Sequence, residues 1–166
     1  MQLRIKKYWV LLSSVFYFSV INAGVGTFLW GTPVNNSVFY LPIGSHTRDG
    51  HQGLKFFELM GGTYKSFLAM TFINSFGNRV FAVGIERYIW KYRRLSVGYG
   101  AGLMAGYNGQ LSTVYGIPFR NTFLFKYDVN PVIVGIADVA ITKKLQLSFV
   151  IAPLVVTGGL RYNFST

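Results

Sequence analysis

From Leu95 to Tyr107 the chain alternates without a break. Leu95, Val97, Tyr99, Ala101, Leu103, Ala105 and Tyr107 occupy one set of positions. Ser96, Gly98, Gly100, Gly102, Met104 and Gly106 occupy the other. A period of two is the signature of a β-strand, whose successive side chains point to opposite faces. One face here is apolar and the other is nearly free of side chains. A strand in the wall of a membrane barrel turns its apolar face to lipid and the other to the lumen. Small barrels fill the lumen with side chains, so inward glycines predict a cavity.

Composition supports the barrel. Hydrophobic residues reach 51%. Yet no apolar run of about 18 residues, the length a spanning helix needs, lies beyond the N-terminus. Aromatics reach 17%, with 15 Phe, 11 Tyr and 19 Gly. Short apolar stretches with many aromatics suit a barrel with aromatic girdles at its rims; the alternative is an aromatic-rich soluble β-sandwich. The absence of Cys excludes disulfides and thiolate metal sites. With only His46 and His51 and no tight carboxylate cluster, neither metal nor cofactor is expected. The net charge is +11. Its basic residues gather at turns (Lys91, Arg93, Arg94, Lys143, Lys144), with no basic helix and no recognition motif. Nucleic acid is therefore not the expected partner; anionic lipid headgroups or plain solvated turns fit better.

The first residues have a targeting layout. Met1 to Lys7 is basic, Tyr8 to Ile21 is mostly apolar, and Asn22-Ala23 precedes Gly24. About 14 apolar residues are short for spanning a membrane. Residues 1–23 are read as a cleaved signal peptide and residues 24–166 as one barrel domain. Residues 24–36 are rich in Gly, Pro and Asn, so an N-terminal helix is short or absent.

The other strands read Ser37–His46, Leu54–Met60, Ser66–Ser75, Arg79–Trp90, Val132–Thr142, Leu145–Pro153 and Leu154–Phe164. Turn signals separate them at Asp49-Gly50, Gly61-Gly62, Gly77-Asn78, Lys91 to Arg94 and Thr142 to Lys144. The sum is an all-β, eight-stranded antiparallel transmembrane barrel. Asn108 to Asn130 is the longest connection and is expected to be partly strand. A charged Glu86 is costly in lipid, so it is placed inside, with Arg161 as its partner. Pro42, Pro131 and Pro153 fall in or at the edge of strands. Proline cannot donate to a ladder, so these mark either lateral gaps for a lipid tail or strand ends near the rims.

His46 ends the first strand, and Asn74-Ser75 closes the third. In an antiparallel barrel these ends share a rim. A His and a Ser there are a base and hydroxyl pair suited to acyl transfer. Tyr40-Leu41-Pro42 with His46 and Arg48, Ala69-Met70-Thr71-Phe72-Ile73-Asn74-Ser75, Gly84-Ile85-Glu86, Asn130-Pro131 and Ala152-Pro153 follow one another in order. In that order they resemble the lipid A palmitoyltransferase family, over most of residues 37–164.

The resemblance implies a monomeric outer-membrane enzyme, exported through its signal peptide. It would move a palmitoyl chain from a phospholipid donor to lipid A. His46, Asn74 and Ser75 take the family's His, Asp and Ser positions, with Asn74 replacing the Asp. An Asn supplies no negative charge, but it can orient a group or hold an oxyanion; Asp49 is the alternative carboxylate. Gly84, with Gly98, Gly100 and Gly102, would floor the acyl pocket, and Pro42, Pro131 and Pro153 would flank its openings. The expected roles are His46 as base on the acceptor hydroxyl, with Ser75 and Asn74 orienting. Two rivals are a lipid A deacylase, disfavoured because no His-x-Ser motif is present, and a non-enzymatic barrel or inactive relative.

Overall fold

The computed structural model describes Gly26, residues 29–47 and residues 54–164. The signal peptide expected at residues 1–23 lies outside the described residues, as do residues 24, 25, 27 and 28 of the stretch where a short or absent helix is expected. The fold lies in the unit Thr32–Thr166.

Eight strands make it: β1 (Ser37–His46), β2 (Lys55–Tyr64), β3 (Phe67–Ile73), β4 (Arg79–Tyr92), β5 (Leu95–Ala105), β6 (Asn130–Ala140), β7 (Leu145–Ile151) and β8 (Val155–Asn163). Each pairs antiparallel with the one before, and β8 returns to β1, closing the barrel. Closure removes the sheet edges that would otherwise stay unpaired. β4 outruns β3, and Thr32-Pro33 pairs with Tyr88 and Arg87 on that overhang. No helix among the described residues is long and apolar enough to cross a membrane.

The two rims differ. At one, Lys65-Ser66, Arg93-Arg94 and residues 141–144 make tight connections. At the other lie residues 74–78, the long segment 106–129, the end of β1 and the connection after β7. The first is called the turn rim below and the second the loop rim. The outer wall is apolar: Val38, Tyr40, Phe81, Val83, Leu103 and Ile133 are all exposed.

The lumen is layered. Toward the turn rim it is polar. Arg161 Nη1 lies 2.7 Å from Glu86 Oε1 and Arg161 Nε 3.6 Å from Asp138 Oδ2. The Thr63 hydroxyl donates to Glu86 and the Tyr88 hydroxyl to Asp138. The expected Glu86–Arg161 pair forms, with Asp138 as an unforeseen third member. Above it, Phe39, Leu41, Leu59, Leu68, Met70, Val134, Ile136 and Val150 fill the interior.

Two local expectations change. Gly61-Gly62 is not a turn: β2 continues to Tyr64, and the reversal is Lys65-Ser66. A Cβ at Gly61 would come within 2.4 Å of the Ala69 carbonyl oxygen, so this glycine allows close packing rather than reversal. The segment after β5 forms two short 3₁₀ turns, Gln110–Thr113 and Phe123–Phe125, and no strand until Asn130.

Candidate functional site

β1 ends at His46 on the loop rim, and the tight turn after β3 carries Ser75 to the same place. His46 Nε2 lies 3.0 Å from Ser75 Oγ. That is hydrogen-bond distance between a nucleophile and its base. The pair is solvent-facing, and the edge of the Phe57 ring packs against the imidazole at 5.6 Å, at 66° between planes. Phe57 was not foreseen, because it is an ordinary inward aromatic in the β2 pattern.

Asn74 is beside the pair in sequence and apart from it in role. It is buried, and its Oδ1 accepts from the backbone N–H of Phe76 at 3.0 Å and of Asn78 at 2.9 Å. Its Nδ2 reaches the Gly106 carbonyl at 3.5 Å. Asn74 therefore builds the turn that presents Ser75, a standard use of a short polar side chain. Its oxygen is committed to backbone donors, so it does not orient His46. An Asp would offer the same acceptor. Arg48, Asp49 and His51 lie outside the described residues.

The long loop is tied to this turn. Asn78 Nδ2 donates to Gln110 Oε1 at 3.1 Å. The Asp128 carboxylate accepts from the N–H groups of Gly106 and Asn108, both at 2.8 Å. These bonds hold its carboxyl below the usual carboxylate range. Asn130, fully buried, donates to the carbonyls of Leu124 and Tyr127. The sequence pattern gave no signal for these clamps, since a loop-closing Asp or Asn has no fixed spacing to its backbone partners.

The chain matches no protein-family model and no curated protein.

The glycines expected to floor an acyl pocket behave otherwise. Gly100 faces the lumen, but Val134, Leu68 and Ile136 already stand 3.1–3.5 Å from where its Cβ would be. The void beside Gly84, Gly100 and Gly102 is ≈ 10 Å³, room for about one water where ligand pockets hold roughly 300–1,000 Å³. At Gly84, Gly98 and Gly102 a Cβ would strike the facing strand's backbone, at 2.2, 2.1 and 2.1 Å. These glycines let β4 and β5 approach closely.

The prolines divide. Pro42 sits in mid-strand, where the register slips on both sides: between Leu41 and Ile43 against β2, and between Tyr40 and Ile43 against β8. Pro131 is the second residue of β6, opposite Leu103. Pro153 lies outside the strands, in the connection between β7 and β8. Of these three prolines, Pro42 alone sits at a register shift in mid-strand, four residues below His46.

Proposed function

We propose that this protein is an outer-membrane acyltransferase that moves a long acyl chain from a phospholipid to lipid A through the His46–Ser75 pair. The carrying observation is the 3.0 Å contact between His46 Nε2 and Ser75 Oγ on the rim of a closed barrel. The apolar wall supports a membrane location. Short turns on one rim and long loops on the other support an orientation with the loop rim outward, where lipid A lies.

In this reading Ser75, rather than the acceptor hydroxyl, is the group whose proton the base takes first, supported by its contact with His46 Nε2. In the first step His46 Nε2 takes the Ser75 Oγ proton as Oγ attacks the donor ester carbonyl. The bond from that carbonyl to the glycerol oxygen breaks, and His46 returns the proton to the departing oxygen. In the second step a lipid A hydroxyl gives its proton to Nε2 and attacks the Ser75 ester, restoring Ser75. Base and nucleophile activation of this kind contributes on the order of 10²–10⁴-fold. In this reading the donor tail lies along the outer wall beside the register shift at Pro42, four residues from His46, because the lumen beside the glycines is filled.

The test uses the purified barrel with a phospholipid and no acceptor. Peptide mass spectrometry should find the acyl mass on Ser75, together with released lysophospholipid. Lysophospholipid release that persists in Ser75→Ala rules out the covalent step.

A further inference from the structure

An apolar groove lies on the outer wall, at the opposite end from His46. Val38, Gly62, Ala69, Val83 and Leu103 are consecutive ladder partners across β1 to β5. All five belong to the lining of one groove. Gly62 and Ala69 are the smallest residues in the row, so the wall is hollowed there. Tyr64 and Phe67, both largely exposed, stand at its turn-rim end, and Phe164 borders it on the β8 side. The groove holds ≈ 800 Å³, within the range of small-molecule sites, and its lining is almost wholly apolar.

The turn-rim mouth of the groove carries a cation: Lys65 Nζ stands 5.4 Å from the centre of the Tyr64 ring, which lines it. Lys65 occupies the β2–β3 turn with φ 48°, followed by Ser66 with φ 69°. Two positive φ values are the geometry of a tight hairpin turn that usually takes Asn-Gly, and both residues here carry a Cβ. The turn is held by three bonds: Asn36 Oδ1 accepts the Lys65 N–H at 2.8 Å, Ser66 Oγ accepts the Val34 N–H at 3.2 Å, and the Ser66 carbonyl accepts the Glu86 N–H at 2.8 Å. On the other side of the mouth the Lys144 carbonyl accepts the Asn163 N–H at 2.7 Å, one residue from Phe164. Lys91, Arg93, Arg94 and Lys143 continue the same rim. Among the described residues no carboxylate shares it. Glu86 and Asp138 are enclosed in the lumen, and Glu58 and Asp128 belong to the loop-rim half.

We infer that this groove binds one anionic phospholipid, its tail over Gly62 and Ala69 and its phosphate between Lys65 and Lys144. The occupant follows from the charge: an apolar trough ending in cations without a counter-carboxylate fits a phosphodiester on an acyl chain. The inference rests on the membrane location proposed above and not on the acyl-transfer chemistry.

The experiment is native mass spectrometry of the full protein in mild detergent, with phosphatidylglycerol or phosphatidylethanolamine added. Folding of each variant is checked by its heat-modifiable gel mobility. The wild type and His46→Ala should each retain one phosphatidylglycerol and little phosphatidylethanolamine. Ala69→Phe, an outward change that fills the trough, should lose it. Lys65→Ala and Lys144→Ala should each weaken retention about fivefold. Equal retention by folded Ala69→Phe, or no preference between the two lipids, overturns the site. Neither result touches the acyl-transfer proposal, which is read at Ser75.

Discussion

Arg161 Nη1 and Glu86 Oε1 meet at 2.7 Å with both side chains wholly enclosed in the lumen. The guanidinium also lies 5.0 Å from the centre of the Phe39 ring, at the boundary between the polar and apolar layers. Removing one partner from a buried pair strands the other charge, at about 3–5 kcal/mol. Arg161→Met should therefore destabilise the barrel by that much, seen as a lower urea midpoint after reconstitution in lipid vesicles. A midpoint like that of the wild type would mean the network adds no stability.

The carboxyl of Asp128 titrates low because it accepts backbone N–H groups of Asn108 and Gly106. A depressed folded-state value means the clamp is fully present above the ordinary carboxylate pKa. It is lost as pH falls through the folded value. The protection of the Gly106 and Asn108 amides, relative to their intrinsic exchange at each pH, should be full at neutral pH and fall as pH drops through that lowered value. Asp128→Asn should remove that pH dependence.

Gly84 and Gly135 make a contrast within one wall. A Cβ at Gly84 would sit 2.2 Å from the Ala101 carbonyl oxygen, whereas at Gly135 the nearest atoms are 3.7 Å away. Gly84→Ala should cost about 1–3 kcal/mol by forcing strands apart. Gly135→Ala should be near neutral. Equal urea midpoints for the two variants would contradict the close-approach account.

Asn74 holds the Ser75 turn through its oxygen. Asn74→Asp keeps that acceptor, and Asn74→Ala removes it. Loss of hydrogen bonds to two backbone donors costs roughly 1–3 kcal/mol. The Ala variant should lose protection at Phe76 and Asn78 in hydrogen exchange, while the Asp variant keeps it. Identical exchange in both would remove Asn74 from the turn.

Where the sequence carried a strict period, the fold was readable. The apolar alternation of β5 and β8 placed those strands to within two residues, because a one-residue slip would turn the glycines of β5 and the charge of Arg161 in β8 to the outer wall. The same argument paired Glu86 with Arg161. It did not reach Asp138, whose strand offers too many apolar neighbours to single out one inward carboxylate. Glycine misled twice. At Gly61 it marks close packing in a continuing strand, and at Gly84 and Gly102 a tight strand approach instead of lumen space. Both uses look like turns or voids until the partner strand is known. At the site, the shared rim of His46 and Ser75 followed from strand count alone. The role of Asn74 did not, because its partners are backbone groups of its own turn.

The most direct measurement is mass spectrometry of lipid A from a Gram-negative host lacking its own acyltransferase, expressing the wild type, His46→Ala or Ser75→Ala. The account predicts one added acyl chain with the wild type and none with either variant, each folded in the outer membrane. Unmodified lipid A from a folded wild type, or modification that survives both substitutions, would contradict it.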